Sequence, residues 1–101
     1  MLPPDAHERL LDVVRWLAPG EVVSYGDIAA TAGFPGQSRL VGRLLARGGD
    51  DLPWWRVVAS NGRMVPGLEV EQAQLLAAEG VSTSGGRVRR SPHGRFRCSQ
   101  P

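Results

Sequence analysis

Two short apolar-faced segments joined by a glycine-containing turn constrain the fold of this 101-residue chain more than any other feature. Ser24 and Asp27 form a helix-capping signal that opens a short helix over roughly residues 25–32. Gly33 suits the left-handed position that ends such a helix, and a second helix covers about residues 37–48. Two short helices joined by a turn of this kind are typical of a helix-turn-helix motif.

The second of these helices carries a row of arginines. Arg39, Arg43 and Arg47 recur every four residues and so share one exposed face, and the helix holds no acidic residue. The small residues Ser38 and Gly42 allow a sugar-phosphate backbone to approach closely. The row therefore predicts contact with DNA, and an ordinary solvated face is the alternative. The opposite face is apolar and is expected to be buried through Leu40, Val41, Leu44 and Leu45.

Helical periodicity also marks two further segments. Residues 5–18 form the first predicted helix, with Asp5 and Glu8 as its capping box. Residues 68–79 form the last predicted helix. We expect this helix to pack inward through Leu68, Leu75 and Leu76.

Between the helices the sequence predicts a small β-hairpin, or wing. Residues 56–59 have the composition of a strand, 60–62 of a tight turn and 63–65 of the returning strand. Residues 22–23 are a candidate short strand, and an extended entry to the next helix is the alternative. The predicted fold class is therefore mostly α with a small β-hairpin, in a winged helix-turn-helix-like DNA-binding domain.

Two adjacent tryptophans, Trp54 and Trp55, precede the predicted hairpin. In an extended segment neighbouring side chains face opposite sides, so the two rings cannot both enter one core. We expect one of them to line a surface or a pocket. The alternative is a core tryptophan beside a half-exposed one.

Charge divides the chain into two parts. Residues 1–80 carry seven arginines against ten acidic residues, whereas residues 81–101 carry five arginines and no acid. We therefore predict a domain over 1–80 and a basic tail or arm over 81–101, where alternation of arginine with apolar residues permits short strands or an arm. A basic segment on a mildly acidic body is common in polyanion-binding proteins, and a solvated disordered end is the alternative.

Composition argues against several classes of protein. No run of about 18 apolar residues occurs, so we expect no membrane partner, and the first residues lack the layout of a signal peptide. The single cysteine, Cys98, cannot form an internal disulfide, which fits a reducing cytoplasm. The two histidines and Cys98 lie far apart, without base–nucleophile or metal-ligand spacing. We therefore expect no enzyme-type site, no cofactor and no metal.

An ordered set of motifs resembles a known family. The segments Gly20–Ala29 and Ser38–Gly42, the motif Pro53-x-x-Arg56-Val57-Val58 and the late Ala78–Gly80 are similar to the C-terminal domain of O6-alkylguanine-DNA alkyltransferases, over about residues 5–80. Those enzymes carry Pro-Cys-His-Arg-Val, in which the cysteine takes the alkyl group from the damaged base. Trp54 stands where that cysteine should be, which is the mark of the alkyltransferase-like proteins, the non-enzymatic relatives.

The resemblance implies roles for individual residues, with the second helix of the motif entering the minor groove. Arg39 matches the arginine finger that fills the space left by a flipped base. Tyr25 matches the tyrosine that helps turn the nucleotide's phosphate outward. Arg63 is the nearest candidate for the basic residue that the relatives place over the modified base. The implied lesion pocket comprises Trp54, Val58, Ser60, Asn61 and Arg63, and the implied DNA-backbone contacts are Ser38, Gly42, Arg43 and Arg47.

The function implied by the resemblance is recognition of damage without repair chemistry. Such a protein binds double-stranded DNA containing O6-alkylguanine, flips the base and marks the lesion for nucleotide excision repair proteins. We expect a monomer in the cytoplasm, associated with the nucleoid through DNA. One alternative is a sequence-specific winged-helix transcription regulator, with the arginine row in the major groove and both tryptophans in the core. A residual alkyl acceptor using Cys98 is a third.

Overall fold

The computed structural model describes residues 2–48 and 51–97, which contain four helices and five short strands. None of these helices is long and apolar enough to cross a membrane. A single turn of 3-10 helix, Trp54–Arg56, which we call the tryptophan turn, lies between the third helix and the second strand. In chain order the elements are α1 (Ala6–Arg15), β1 (Glu21–Ser24), α2 (Tyr25–Thr31), α3 (Ser38–Arg47), β2 (Val57–Val58), α4 (Glu69–Ala77), β3 (Ser82–Ser84), β4 (Arg87–Arg90) and β5 (His93–Gly94).

Of the two predicted capping boxes, only the one at α2 forms. Ser24 Oγ accepts a hydrogen bond from the Asp27 backbone N–H at 3.0 Å, and the Asp27 carboxylate accepts one from the Ser24 N–H at 3.0 Å. The box predicted from Asp5 and Glu8 is wrong. No side chain caps α1, because the Asp5 carboxylate instead accepts a hydrogen bond from Arg9, one turn later, at 2.9 Å.

Strand β1 is the centre of a three-stranded sheet in the order β2-β1-β5, and both pairings are parallel. Val23 pairs with Val57 on one side, and Glu21 pairs with His93 on the other. The hairpin predicted from residues 56–59 and 63–65 is therefore wrong in its pairing. Its first strand belongs to the parallel sheet, because the apolar side chains of β2 are buried against β1.

The antiparallel strand pair of the fold lies farther along the chain, between β3 and β4. Arg63 forms an isolated bridge with Arg87 of β4, and a turn closed by the Ala59 N–H and the Arg63 carbonyl, 3.0 Å apart, precedes that bridge. The described part of the basic segment, residues 81–97, thus forms the short strands β3, β4 and β5. It packs on the rest of the domain. In β4 the alternation of side chains buries Val88 and exposes its arginine neighbours.

Two apolar clusters make the core. The first lies among α1, α2 and α3 and includes Leu10, Ile28 and Val41. The second joins the sheet, α4 and the basic segment through Val22, Val58, Met64, Leu76, Val81 and Val88. Leu68, predicted to pack inward, is 42% exposed because it precedes the first turn of α4.

A partly buried carboxylate, Glu79, fixes the tryptophan turn against the rest of the fold. Arg56 donates to both of its oxygens, from Nε at 3.0 Å to Oε1 and from Nη2 at 2.8 Å to Oε2. The Trp55 indole N–H donates to Oε2 at 2.9 Å, and the Gly20 backbone N–H donates to Oε1 at 2.8 Å. Arg56 Nη1 also donates to the Leu17 carbonyl at 2.8 Å. We call these five residues the Glu79 cluster.

The Glu79 cluster is charged and largely shielded from water, since the Arg56 and Glu79 side chains are each only 12% exposed. The Arg56 guanidinium also lies over the Trp55 ring, 5.3 Å from its centroid. Burial by itself raises the pKa of Glu79. The hydrogen bonds from Arg56, Gly20 and Trp55 outweigh that effect and hold the pKa below its usual value.

We expect Gly94→Ala to lower the free energy of unfolding by about 2–4 kcal/mol. Gly94 has a φ of 87°, and a Cβ there would collide with the Val22 carbonyl oxygen and lie 2.9 Å from the Val22 nitrogen. Denaturant titration measures the loss. Gly33→Ala is the matched control, because Gly33 has a φ of 93° with nothing within 4 Å of a Cβ. Its loss should be about 1 kcal/mol, and equal losses would contradict the steric argument.

We expect Glu79→Gln to lower the free energy of unfolding by about 3 kcal/mol at pH 7, because Arg56 then keeps a shielded charge without its partner. The pKa of Glu79 is lower in the folded state than in the unfolded chain. The stability that the Glu79 carboxylate contributes is therefore fully present at pH values above the usual pKa of a carboxyl group. It is lost as the pH falls through the lower pKa of the folded state. Denaturant titrations from pH 7 downward measure both effects.

The control for this experiment is Glu8→Gln. Glu8 is 69% exposed on α1, so its removal should change stability very little. The Glu79→Gln variant should lose less stability on acidification than the wild type and Glu8→Gln do. If all three proteins lost stability in parallel, Glu79 would not be a source of the acid sensitivity.

Candidate nucleic-acid interface

Helix α3 displays the predicted basic row on its solvent side. Arg39, Arg43 and Arg47 are all exposed, whereas Leu40 and Val41 on the opposite face are buried. Within residues 2–48 and 51–97, no acidic side chain forms an ion pair with any of these three arginines. The row is therefore a positive surface open to phosphates.

A pocket of about 390 Å³ lies beside this row, between α3 and the start of α4. Its volume is within the range of pockets that hold small molecules, about 300–1,000 Å³. Tyr25 at the start of α2 and Trp54 in the tryptophan turn contribute aromatic surface. The other lining residues are Gly42, Leu45, Ala46 and Gly48 on the α3 side and Val65, Leu68 and Glu71 on the α4 side.

The tryptophan turn sends its two indole rings to different places. Their centroids are 6.2 Å apart and their planes are 87° to each other. Trp54 lines the pocket, whereas Trp55 packs on the second apolar cluster and donates its N–H to Glu79. Because the segment is a helical turn, its side chains do not alternate as they would in a strand. The helical turn itself directs the two rings to different places.

Tyr25 is the first residue of α2, and its half-buried ring packs on the first apolar cluster. Burial raises the pKa of the Tyr25 hydroxyl. The phenol therefore stays protonated at physiological pH and is a neutral hydrogen-bond donor. A phosphate oxygen is a suitable acceptor for such a donor.

The pocket lining differs from the one implied by the resemblance. Of the five residues named for a lesion pocket, Trp54 lines this pocket and the other four do not. Val58 is fully buried, because β2 is covered on both faces. Ser60, Asn61 and Arg63 lie exposed on the turn after β2, and none of these three side chains lines the pocket in the free protein.

Two polar side chains, the buried Gln72 and the exposed Arg95, join separate elements of the fold. Gln72, fully buried in α4, accepts from the Val65 N–H at 2.8 Å and donates to the Trp55 carbonyl at 3.1 Å. Arg95 donates to Asp27 in the first turn of α2 at 3.1 Å and to the Ser60 carbonyl at 3.1 Å. Sequence reasoning missed both contacts, because each joins residues from distant parts of the chain or from different elements.

In residues 2–48 and 51–97 no three His, Cys, Asp or Glu side chains come together as a metal-ligand set. Cys98, the candidate alkyl acceptor, lies outside the described residues. The chemistry available at the pocket is therefore aromatic and apolar contact, hydrogen bonding by Tyr25 and one carboxylate.

Residues 5–81 match the family described as the DNA-binding domain of 6-O-methylguanine DNA methyltransferase. A Vibrio parahaemolyticus protein named DNA base-flipping protein is 39% identical over 80 residues, which are 75% of this chain and 80% of that protein. The Escherichia coli protein of the same name is 42% identical over 82 residues, which are 77% of this chain and 64% of that protein.

Solved structures agree with these matches. Schizosaccharomyces pombe Atl1, in complex with damaged DNA containing O6-carboxymethylguanine, superposes with a TM-score of 0.74 at 30% identity, over 87% of this chain and 90% of that one. Mycobacterium tuberculosis OGT in complex with DNA gives a TM-score of 0.67 at 28% identity, over 77% of this chain and 51% of that one. The match over residues 5–81 and the similarity to these relatives show that this chain belongs to the family of the 6-O-methylguanine DNA methyltransferase DNA-binding domain, as an alkyltransferase-like protein.

Proposed function

We propose that this protein recognises O6-alkylguanine in double-stranded DNA by flipping the damaged base into the pocket lined by Trp54. The observation that carries the proposal is the aromatic pocket placed directly beside the exposed arginine row of α3. The names of the relatives, DNA base-flipping protein, and the complex of Atl1 with damaged DNA support it.

In this proposal α3 lies along the minor groove. Arg43 and Arg47 contact phosphates, and Ser38 and Gly42 let the backbone approach the helix closely. A Cβ at Gly42 would meet nothing within 4 Å in the free protein, so the space there is available to a ligand. Phosphate contacts of this kind place the protein on DNA and carry little sequence information.

Flipping itself needs a residue that enters the duplex and one that holds the nucleotide outside it. Arg39, exposed in the first turn of α3, fills the space in the base stack. Tyr25 donates a hydrogen bond to the phosphate of the flipped nucleotide. Flipping costs a few kcal/mol, less for a base whose pairing is already weakened. Contact between the flipped base and the Trp54 ring offsets about 1–3 kcal/mol of this cost.

We further propose that the protein performs no repair chemistry of its own and acts as a monomer. The indole of Trp54 has no nucleophilic thiol, so the alkyl group stays on the DNA. The bound, distorted duplex is then the signal that brings nucleotide excision repair proteins to the lesion. Mass spectrometry after incubation with alkylated DNA tests the first point, since transfer to Cys98 would add a stable mass to the protein.

We expect the protein to bind a duplex with a single O6-methylguanine at least about 10-fold more tightly than the same duplex with guanine, which is about 1.4 kcal/mol. Trp54→Ala should remove most of this preference, because the flipped base loses its aromatic contact. Arg39→Ala should reduce it as well. Fluorescence anisotropy at one stated salt concentration measures all three proteins.

Arg9→Ala is the control for the loss of a positive charge, since Arg9 lies on α1 away from the pocket. It should leave the preference for the modified duplex unchanged. Equal binding of the two duplexes by the wild type would contradict the proposal. A preference for one DNA sequence, alkylated or not, would favour a winged-helix transcription regulator.

We expect Tyr25→Phe to weaken binding to the O6-methylguanine duplex by about 10- to 100-fold, the effect of losing one hydrogen bond to a charged group. Because the ring and its packing remain, thermal stability should change little. Fluorescence of 2-aminopurine placed next to the lesion reports unstacking of the duplex. The variant should give a smaller fluorescence increase at saturation, and a full increase would exclude a role for the hydroxyl in flipping.

A further inference from the structure

One side chain of the pocket does not fit a purely apolar and aromatic site. Glu71, in the first turn of α4, lines the pocket opposite Gly42 and Ala46. It is the one charged side chain among the lining residues that the structure describes, and it is exposed at the pocket. A ligand that enters this pocket therefore meets a negative charge.

Three other acidic residues of the described chain are already engaged by the protein. Glu79 is bound by Arg56, and Asp27 accepts from Ser24 and Arg95. Glu69, the other acid in the first turn of α4, accepts from the Gly67 N–H at 2.9 Å. Across residues 2–48 and 51–97, Glu71 has neither an ion-pair nor a hydrogen-bond partner.

The position of Glu71 at a helix start does not by itself account for its location in the pocket. An acidic residue in the first turn complements the helix dipole, and Glu69 already does this in the same turn. Glu71 differs from Glu69 in facing the pocket. The two glutamates therefore separate the effect of charge at the helix start from the effect of charge in the pocket.

We propose that Glu71 is a specificity-determining residue that selects against O6-alkyl groups ending in a negative charge and for uncharged ones. This inference rests on the proposed function and names its substrate class. An adduct that ends in a carboxylate would place a second negative charge in the pocket beside Glu71, and the two like charges repel each other. Uncharged adducts such as a methyl group or an amide-ended chain avoid that repulsion.

The arginine row does not cancel this discrimination. Arg39, Arg43 and Arg47 attract the phosphates of every duplex equally, so their effect drops out when two adducts are compared in one duplex. What differs between the two complexes is the charge on the adduct. Glu71 lines the pocket that the adduct enters, whereas Arg39, Arg43 and Arg47 are not among its lining residues.

The test compares O6-carboxymethylguanine with O6-carbamoylmethylguanine, an amide of nearly the same size without the charge. Both are placed in the same duplex, and anisotropy is measured for wild type, Glu71→Gln and Glu69→Gln. Wild type should bind the carboxymethyl duplex about 5-fold more weakly than the carbamoylmethyl duplex. Glu71→Gln should remove this difference in affinity between the two duplexes, the gap referred to below, whereas Glu69→Gln should leave it unchanged. Raising the salt concentration should narrow the wild-type gap.

Equal affinity of the wild type for the two adducts would overturn the inference, and so would a gap that persists in Glu71→Gln. Duplexes with O6-methylguanine and with guanine are measured in the same series. If the wild type prefers O6-methylguanine but shows no gap, the proposed function stands and the role of Glu71 is excluded. If it does not distinguish O6-methylguanine from guanine, the proposed function and the inference both fail.

Discussion

The carboxylate of Glu79 is the interaction on which the candidate site depends. It follows α4, yet its hydrogen bonds come from the tryptophan turn and from the loop before β1. A shielded charge without partners is strongly destabilising, so Arg56, Trp55 and Gly20 have to be in place together. Because Trp54 is the direct neighbour of Trp55, the same contacts that satisfy Glu79 also fix the ring that faces the pocket.

In the proposed function, binding is divided between two surfaces of different chemistry. The exposed arginines of α3 supply positive charge that attracts any duplex, while the pocket supplies shape, aromatic surface and one carboxylate. Under this proposal, charge contacts bring affinity that does not depend on the base, and the pocket binds the one nucleotide that leaves the stack. A rigid frame is needed for the second task, and Gln72 and the Glu79 cluster provide it.

The features that depend on neighbours in sequence were predictable, and those that depend on distant partners were not. Apolar periodicity located all four helices, and the capping box of Ser24 and Asp27 and the left-handed Gly33 are as predicted. The motifs around Tyr25 and Trp54 led to the family. The parallel pairing of β2 with β1 was missed, because a two-residue strand carries no signal about its partner. Periodicity also could not tell a buried leucine from the pocket-lining Leu68.

The parallel sheet has a consequence for how the chain acquires its structure during synthesis. The first apolar cluster is complete once Val57 has been made, so the three N-terminal helices can pack early. Strand β1 lies at the centre of the sheet and needs β5, at residues 93–94, before its second edge is paired. At about 5–20 residues per second, ribosomal elongation leaves that edge open for seconds, and an open strand edge invites pairing with other chains. Pairing with β5 therefore covers a strand edge that would otherwise stay open to other chains, as well as completing the sheet.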